Sequence, residues 1–219
     1  MKLISKDAAI AAIGIVLDEA KPLNGYSLPA LIQGVADRYQ MAKVPTIQET
    51  TATGAKFNNG RLAAKNINVT ELSIHSNSIG VTTTDTKDSE LVLNDLMGWL
   101  RETFGFREFA TKPVKVFQSD LIVELDNDPT QTLKLFAPLL DLLDRGAESI
   151  NGIKKSVHFN RIDFGSDPLS AGPNVVFLIE RRAGIPYASN RYFCKAYMQT
   201  DAHIGALELM DKLLGKAKR

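Results

Sequence analysis

The sequence predicts an α+β fold: two tandem copies of a strand-helix-three-strand-helix unit, with antiparallel sheet backed by helices on one face. Three observations predict it. Residues 113–215 read as strand, helix, three strands and helix in that order. Residues before 110 offer the same order, so element order recurs at a period of roughly a hundred residues. The strand runs alternate apolar with polar side chains, as in a sheet that buries one side and leaves the other open. The units are assigned to residues 1–110 and 111–219 and joined around Phe106 to Lys112. The repetition is one of element order, not of letters.

Local pattern leaves the first element open. "KDAAIAAIGIVLDEA" is rich in alanine and spaces Ile10, Ile13 and Leu17 as a helix would, whereas the repeat requires a strand over residues 8–18. A strand is expected there, with a helix as the alternative. "SLPALIQGVADRYQ" follows as a helix. "AKFNNGRLAA", "NVTELSIH" and "IGVTTTD" are strands, for which "NNG" and "NSIG" supply hairpin turns. The helix closing the first unit starts at Thr86 or Asp88, repeats Val92, Leu93, Leu96, Trp99, Leu100 and Phe104 at three- and four-residue steps, and exits through Gly105.

In the second unit, "VKVFQSDLIVELD" places Leu121, Val123 and Leu125 on one face and Ile122, Glu124 and Asp126 on the other. The next helix has Asp128 as its cap, Pro129 at its first position and Gln131 at capping-box spacing. It kinks between Lys134 and Pro138 and stops at Gly146. "SVHFNRIDFG" is a strand, bulged near Asn160 and Arg161. "NVVFLIERR" is apolar on both faces, as a strand with neighbours on both sides would be. "NRYFCKAYMQT" alternates cleanly, and "AGIPYASN" connects these last two as a hairpin loop. The final helix begins at Thr200 or Asp201, turns Ile204, Leu207, Met210 and Leu214 inward, and closes at Gly215.

Composition excludes several classes. With 44% apolar and 23% charged residues in 219, the chain is that of a folded protein. Its longest apolar run, Ala8 to Leu17, is too short to cross a bilayer, so no membrane insertion is expected, and no leader cleavage pattern accompanies it. Cys194 has no cysteine to pair with, which points to a reducing, cytoplasmic setting. The net charge of +1 supplies no global field toward nucleic acid or anionic lipid, and neither half is polarised, with 11 basic and 12 acidic residues in 1–110.

No motif carries catalysis or a cofactor. His75, His158 and His203 are far apart, form no His-Glu-x-x-His arrangement and have no thiolate pair beside them, so no metal is expected. His75 and His203 are expected at polar or capping positions. The glycines of "GSDPLSAGPN" lie between two antiparallel strands rather than before a helix, and no nucleophile elbow occurs. Cys194 falls on the inward side of its strand, where a thiol acts as a small hydrophobe. Glu124, Asp126 and a neighbouring Asp163 are the one carboxylate group that acid-base chemistry could use. An enzyme is therefore not the favoured reading.

The candidate site is the cationic and aromatic set Arg181, Arg182, Tyr187, Arg191, Phe193, Lys195 and Tyr197. In "NRYFCKAYMQT", Tyr192, Cys194, Ala196 and Met198 pack against helices while Arg191, Phe193, Lys195 and Tyr197 line the open side. Arg181 and Arg182 extend that patch. Such a set suits a protein interface, with a protein partner or a second copy as occupant. Alternating cations and aromatics also suit bases and phosphates, so nucleic acid is the alternative. A third reading is a small-ligand pocket between the sheet and the 129–145 helix.

Overall fold

The computed structural model describes residues 1–14, 28–75, 78–105, 114–129, 136–151, 158–166 and 176–216. The chain forms β1 (Lys2–Gly14), α1 (Leu28–Arg38), α2 (Ile47–Thr53), β2 (Ala55–Leu62), β3 (Ile67–Ile74), β4 (Ser78–Thr83), α3 (Thr86–Phe104), β5 (Val114–Glu124), α4 (Ala137–Asn151), β6 (Arg161–Gly165), β7 (Val176–Arg181), β8 (Arg191–Ala196) and α5 (Thr200–Lys216). All eight strands belong to one antiparallel sheet in the order β2-β3-β4-β1-β5-β8-β7-β6. The mixed α+β class is as expected. The strand order also reads alike from both ends, because β1 and β5 occupy the middle and each is flanked by the last strand of its own half.

Over residues 8–14 β1 settles the open question in favour of a strand, residues 15–18 lying outside the described residues. Alanine favours helix locally, but β1 pairs with β4 on one side and with β5 on the other, from Lys2↔Glu124 to Gly14↔Val114. Two ladders satisfy its main chain and override propensity. Irregularities between Leu3 and Ser5 and between Lys6 and Ala8 take up two extra residues.

α1, α3 and α5 cover one side of this sheet. Leu31 and Val35 of α1 and Val92, Leu93, Leu96 and Leu100 of α3 are buried with Ala11, Phe57, Leu72 and Val81. In the second half, Leu207 of α5 is buried with Leu121, Val123, Ile179, Tyr192 and Cys194. α3 and α5 meet at their first residues. The Thr86 amide donates to Thr200 Oγ1 (3.0 Å) and the Thr200 amide to Thr86 Oγ1 (2.8 Å), so each threonine satisfies a free N–H of the other helix. Each helix also reaches the central strand pair. Ser89 Oγ donates to the Ala9 carbonyl (2.7 Å), and His203 Nδ1 meets Ser119 Oγ (2.7 Å), Ala9 and Ser119 being opposite each other in the β1–β5 ladder.

Several boundaries differ from the sequence reading. Asp85, not Thr86 or Asp88, caps α3, its side chain accepting from the Lys87 amide (3.0 Å), while Gly105 takes the expected left-handed exit at φ 62°. "NNG" is no hairpin turn. Asn58 and Asn59 lie within β2, where their carbonyls accept from the Lys43 and Ala42 amides, and the reversal comes later, through Ala63–Lys65 and Asn66 at φ 54°. Ser78 to Gly80 of "NSIG" belong to β4, and Asn77 lies outside the described residues. α2 was not anticipated, although Thr46 and Glu49 form a capping box before it. α4 begins at Ala137, which puts Pro138 in a first turn where no N–H is needed, and it runs through Gly146 to Asn151. α5 likewise extends past Gly215. The cap at Gln131, most of the expected kink and the junction at 106–112 fall outside the described residues.

Candidate functional site

The strand pairings build the sheet's other side residue by residue. Along β8, Arg191, Phe193 and Lys195 oppose Glu124, Ile122 and Asp120 of β5. On the opposite flank, Phe193 and Lys195 oppose Glu180 and Leu178 of β7, which in turn oppose Arg161 and Asp163 of β6. Their neighbours in sequence, Tyr192, Cys194 and Ala196, are buried toward the helices. The two-residue period thus places Arg191, Phe193 and Lys195 where the sequence put them. Tyr197, just beyond the strand, is exposed, with Lys195 Nζ 5.9 Å from its ring centre.

On this face Arg191, Lys195 and the neighbouring Arg161 each stand beside or opposite a carboxylate. Arg191 Nε donates to Glu124 Oε2 (3.1 Å). Lys195 stands opposite Asp120, whose pKa burial raises above the ordinary carboxylate value against the opposing pull of Lys195 and of a bond from Gln118. Arg161 stands opposite Glu180 and bonds Asp163 (2.7 Å). Between them lie Phe193, half-buried, and Ile122 and Leu178, buried though they point away from the helices. The face is charge-balanced around an apolar middle.

Arg181 and Tyr187 do not belong to it, which corrects their place in the patch. Arg181 is opposite Tyr192 and is buried on the helix side of β7. Its guanidinium donates to Asp128 Oδ1 (3.0 Å) and the Tyr187 carbonyl (2.8 Å), and lies 4.8 and 4.7 Å from the ring centres of Tyr187 and Tyr192. Its Nε is buried without a hydrogen-bond partner among the described residues. Tyr192 Oη shares Asp128 Oδ1 (3.1 Å), and burial raises its pKa. Asp128 thereby ties a strand and a loop; the helix start it was expected to cap lies outside the described residues. Arg182 is exposed at the strand end, its amide bonding the Arg191 carbonyl.

The same contacts shape the 183–190 loop. Gly184 takes φ 73°, which glycine adopts without strain, Tyr187–Ser189 form a single 3-10 turn, and Asn190 at φ 51° donates to the Leu125 carbonyl. Held at Tyr187 and Asn190, the loop exposes Ile185 and Tyr187.

Catalytic arrangements gain no geometry. Glu124 is engaged by Arg191, Asp126 by the Met1 amino group, and Asp163 lies three strands away from β5, so the three carboxylates do not converge. Among the described residues no group of histidine, cysteine and carboxylate side chains could hold a metal ion. His203 is not at a polar capping position. It is fully buried, touches Ser119 through Nδ1 and the edge of Phe177, and leaves Nε2 without a partner among the described residues; burial lowers its pKa to about 4. Ser119 is equally buried, so this pair meets no substrate in this conformation. Cys194 is buried as expected, which pushes its thiol up to about 12. The hollow lined by Pro129, Phe159, Ile162, Ile179 and Tyr192 holds about 10 Å³, room for one water-sized sphere rather than a metabolite.

Sequence reasoning missed Asp120, Asp128 and His203. The signal was available for Asp128, since a buried arginine requires an anion, but only after the register had shown Arg181 to be buried. Among known proteins, the chain matches no family model and no curated protein. No helix among the described residues is long and apolar enough to cross a membrane.

Proposed function

We propose that the protein is a non-catalytic binding or assembly factor that engages a protein partner through the open side of its sheet around Phe193, flanked by the 183–190 loop. The observation that carries this reading is that Arg191 bonds Glu124 and Lys195 stands opposite Asp120, on either side of Phe193, Ile122 and Leu178. A surface made for phosphates leaves its cations free, because affinity comes from replacing counterions. A protein interface instead combines a desolvated apolar centre with complementary charges of both signs, which fix orientation. Aromatic and arginine anchors are what such centres use.

Nucleic-acid binding, the alternative, loses Arg181, which lies on the other side of β7. It keeps Arg182, Arg191, Phe193, Lys195 and Tyr197. A photo-crosslinking amino acid at position 193, with one at exposed Leu91 of α3 as control, separates the readings in the native host. The expected result is a discrete protein adduct at 193 that is absent at 91. Adducts with RNA or DNA at 193, or identical adducts at both positions, would overturn the protein-partner reading.

A further inference from the structure

The two ends of the sheet are finished differently. β2, at one end, has its outer edge occupied, since Lys43 bridges Asn58 and Ala42 bonds the Asn59 carbonyl. β6, at the other end, has no partner beyond β7 among the described residues. The Arg181 amide donates to the Asn160 carbonyl (2.8 Å), which turns the main-chain groups of Asn160, Ile162 and Phe164 toward β7. The N–H and C=O groups of Arg161, Asp163 and Gly165 therefore point outward. An exposed edge of this kind is a template for a further strand.

We propose that this edge pairs with β6 of a second copy of the chain, antiparallel, about a two-fold axis through Ile162. Register and charge select that occupant. Outward-pointing residues must face one another, which an axis through any residue of β6 satisfies, so charge decides among these registers. An axis through Asp163 sets two aspartates face to face, which is unfavourable. An axis through Ile162 sets Arg161 of each copy against Asp163 of the other. The strand is thus complementary to itself, as an isologous interface requires. Both residues are about half exposed and, among the described residues, bond each other.

Five-residue strands alone bury too little for a stable dimer, which needs about 1,000 Å². Apolar area is at hand beside them. Phe164 of β6 is 57% exposed, and α4 begins next to this edge, Phe136 lying 5.7 Å from the ring of Phe159 and exposed together with Leu139 and Leu143. The edge pairs through outward main-chain groups and through Arg161 and Asp163 at the margin of the open face; because the dimer is read from mass and the partner site from crosslinking at Phe193, the two fail separately.

Light scattering on the eluting full chain tests it. The wild type is expected as a dimer. Asp163→Arg, which sets two arginine pairs face to face, and Asp163→Pro, which removes an outward N–H and leaves the β7 ladder intact, are expected as monomers with native circular dichroism. The exchange Arg161→Asp/Asp163→Arg restores the dimer, and a mixture of Arg161→Asp and Asp163→Arg single variants forms a heterodimer. A monomeric wild type at its highest soluble concentration overturns the proposal. So does a wild-type dimer that survives both single changes at Asp163.

Discussion

Replacing Asp128 with alanine is expected to destabilise the protein by about 3 kcal/mol, as read from urea unfolding. Arg181 has 8% of its side chain exposed, and its charge is held by one carboxylate, one carbonyl and two tyrosine rings. Alanine at 128 leaves the guanidinium buried with the carbonyl and rings alone. Removing one partner of a buried ion pair costs more than the pair contributes. Asp128 is itself 30% exposed, so water offsets part of the loss and the lower end of the usual range is expected. Adding Arg181→Met to Asp128→Ala should recover stability, because the stranded charge is then gone. If Asp128→Ala stays within about 0.5 kcal/mol of wild type, the ordinary scatter of surface substitutions, the Arg181 cluster does not hold the fold.

Acidification should produce the second large effect, a loss of about 3 kcal/mol between pH 7 and pH 4 through His203 alone. Its ordinary pKa of 6.5 falls to about 4 in the fold. The unfolded chain therefore takes up this proton first as pH drops. The stabilisation is complete above 6.5, declines through the interval, and is gone below about 4. Burial is the cause, and the Ser119 bond opposes it only in part. The carboxyls of Asp85, Asp95 and Asp211, held below the ordinary value of 3.8, lose their contributions only below it, whereas the raised Asp120 works in the opposite direction above it, inside the His203 interval. Urea midpoints from pH 7 to 4.5 for wild type and His203→Gln would check this. A slope that persists unchanged in the glutamine variant would show that another group supplies it.

Much of this fold could be read before any coordinates. β8 was legible because its alternation is unbroken from Arg191 to Ala196, and α3 because its apolar stripe and Gly105 agree. Even Arg181 was within reach. Closing the hairpin over 183–190 sets Arg181 opposite Tyr192, and Tyr192 was already expected to face inward. Counting charge rather than register put the arginine on the wrong side. His203 was hidden for a different reason. The inward line of α5 runs Thr200, His203, Leu207 and Asp211, so polar residues hold places that hydrophobicity awards to Ile204 and Met210. Only the neighbours, Ser119 for the histidine and the Asn127 amide for Asp211, make those residues satisfiable inside. The Asn58–Gly60 stretch misled because turn-forming residues also serve where a strand accepts a crossing segment, here residues 42–43.

The reading stands or falls on whether the charge-balanced open face carries the binding. The most direct measurement titrates the protein recovered by crosslinking at position 193 against wild type, an Arg191→Glu/Lys195→Glu variant and a Lys65→Glu control on the first half. The account predicts binding about tenfold weaker or worse for the double variant, through mismatched charges at the interface, with the control unchanged. Equal affinity for all three proteins would contradict it, because the partner would then be held by some other surface.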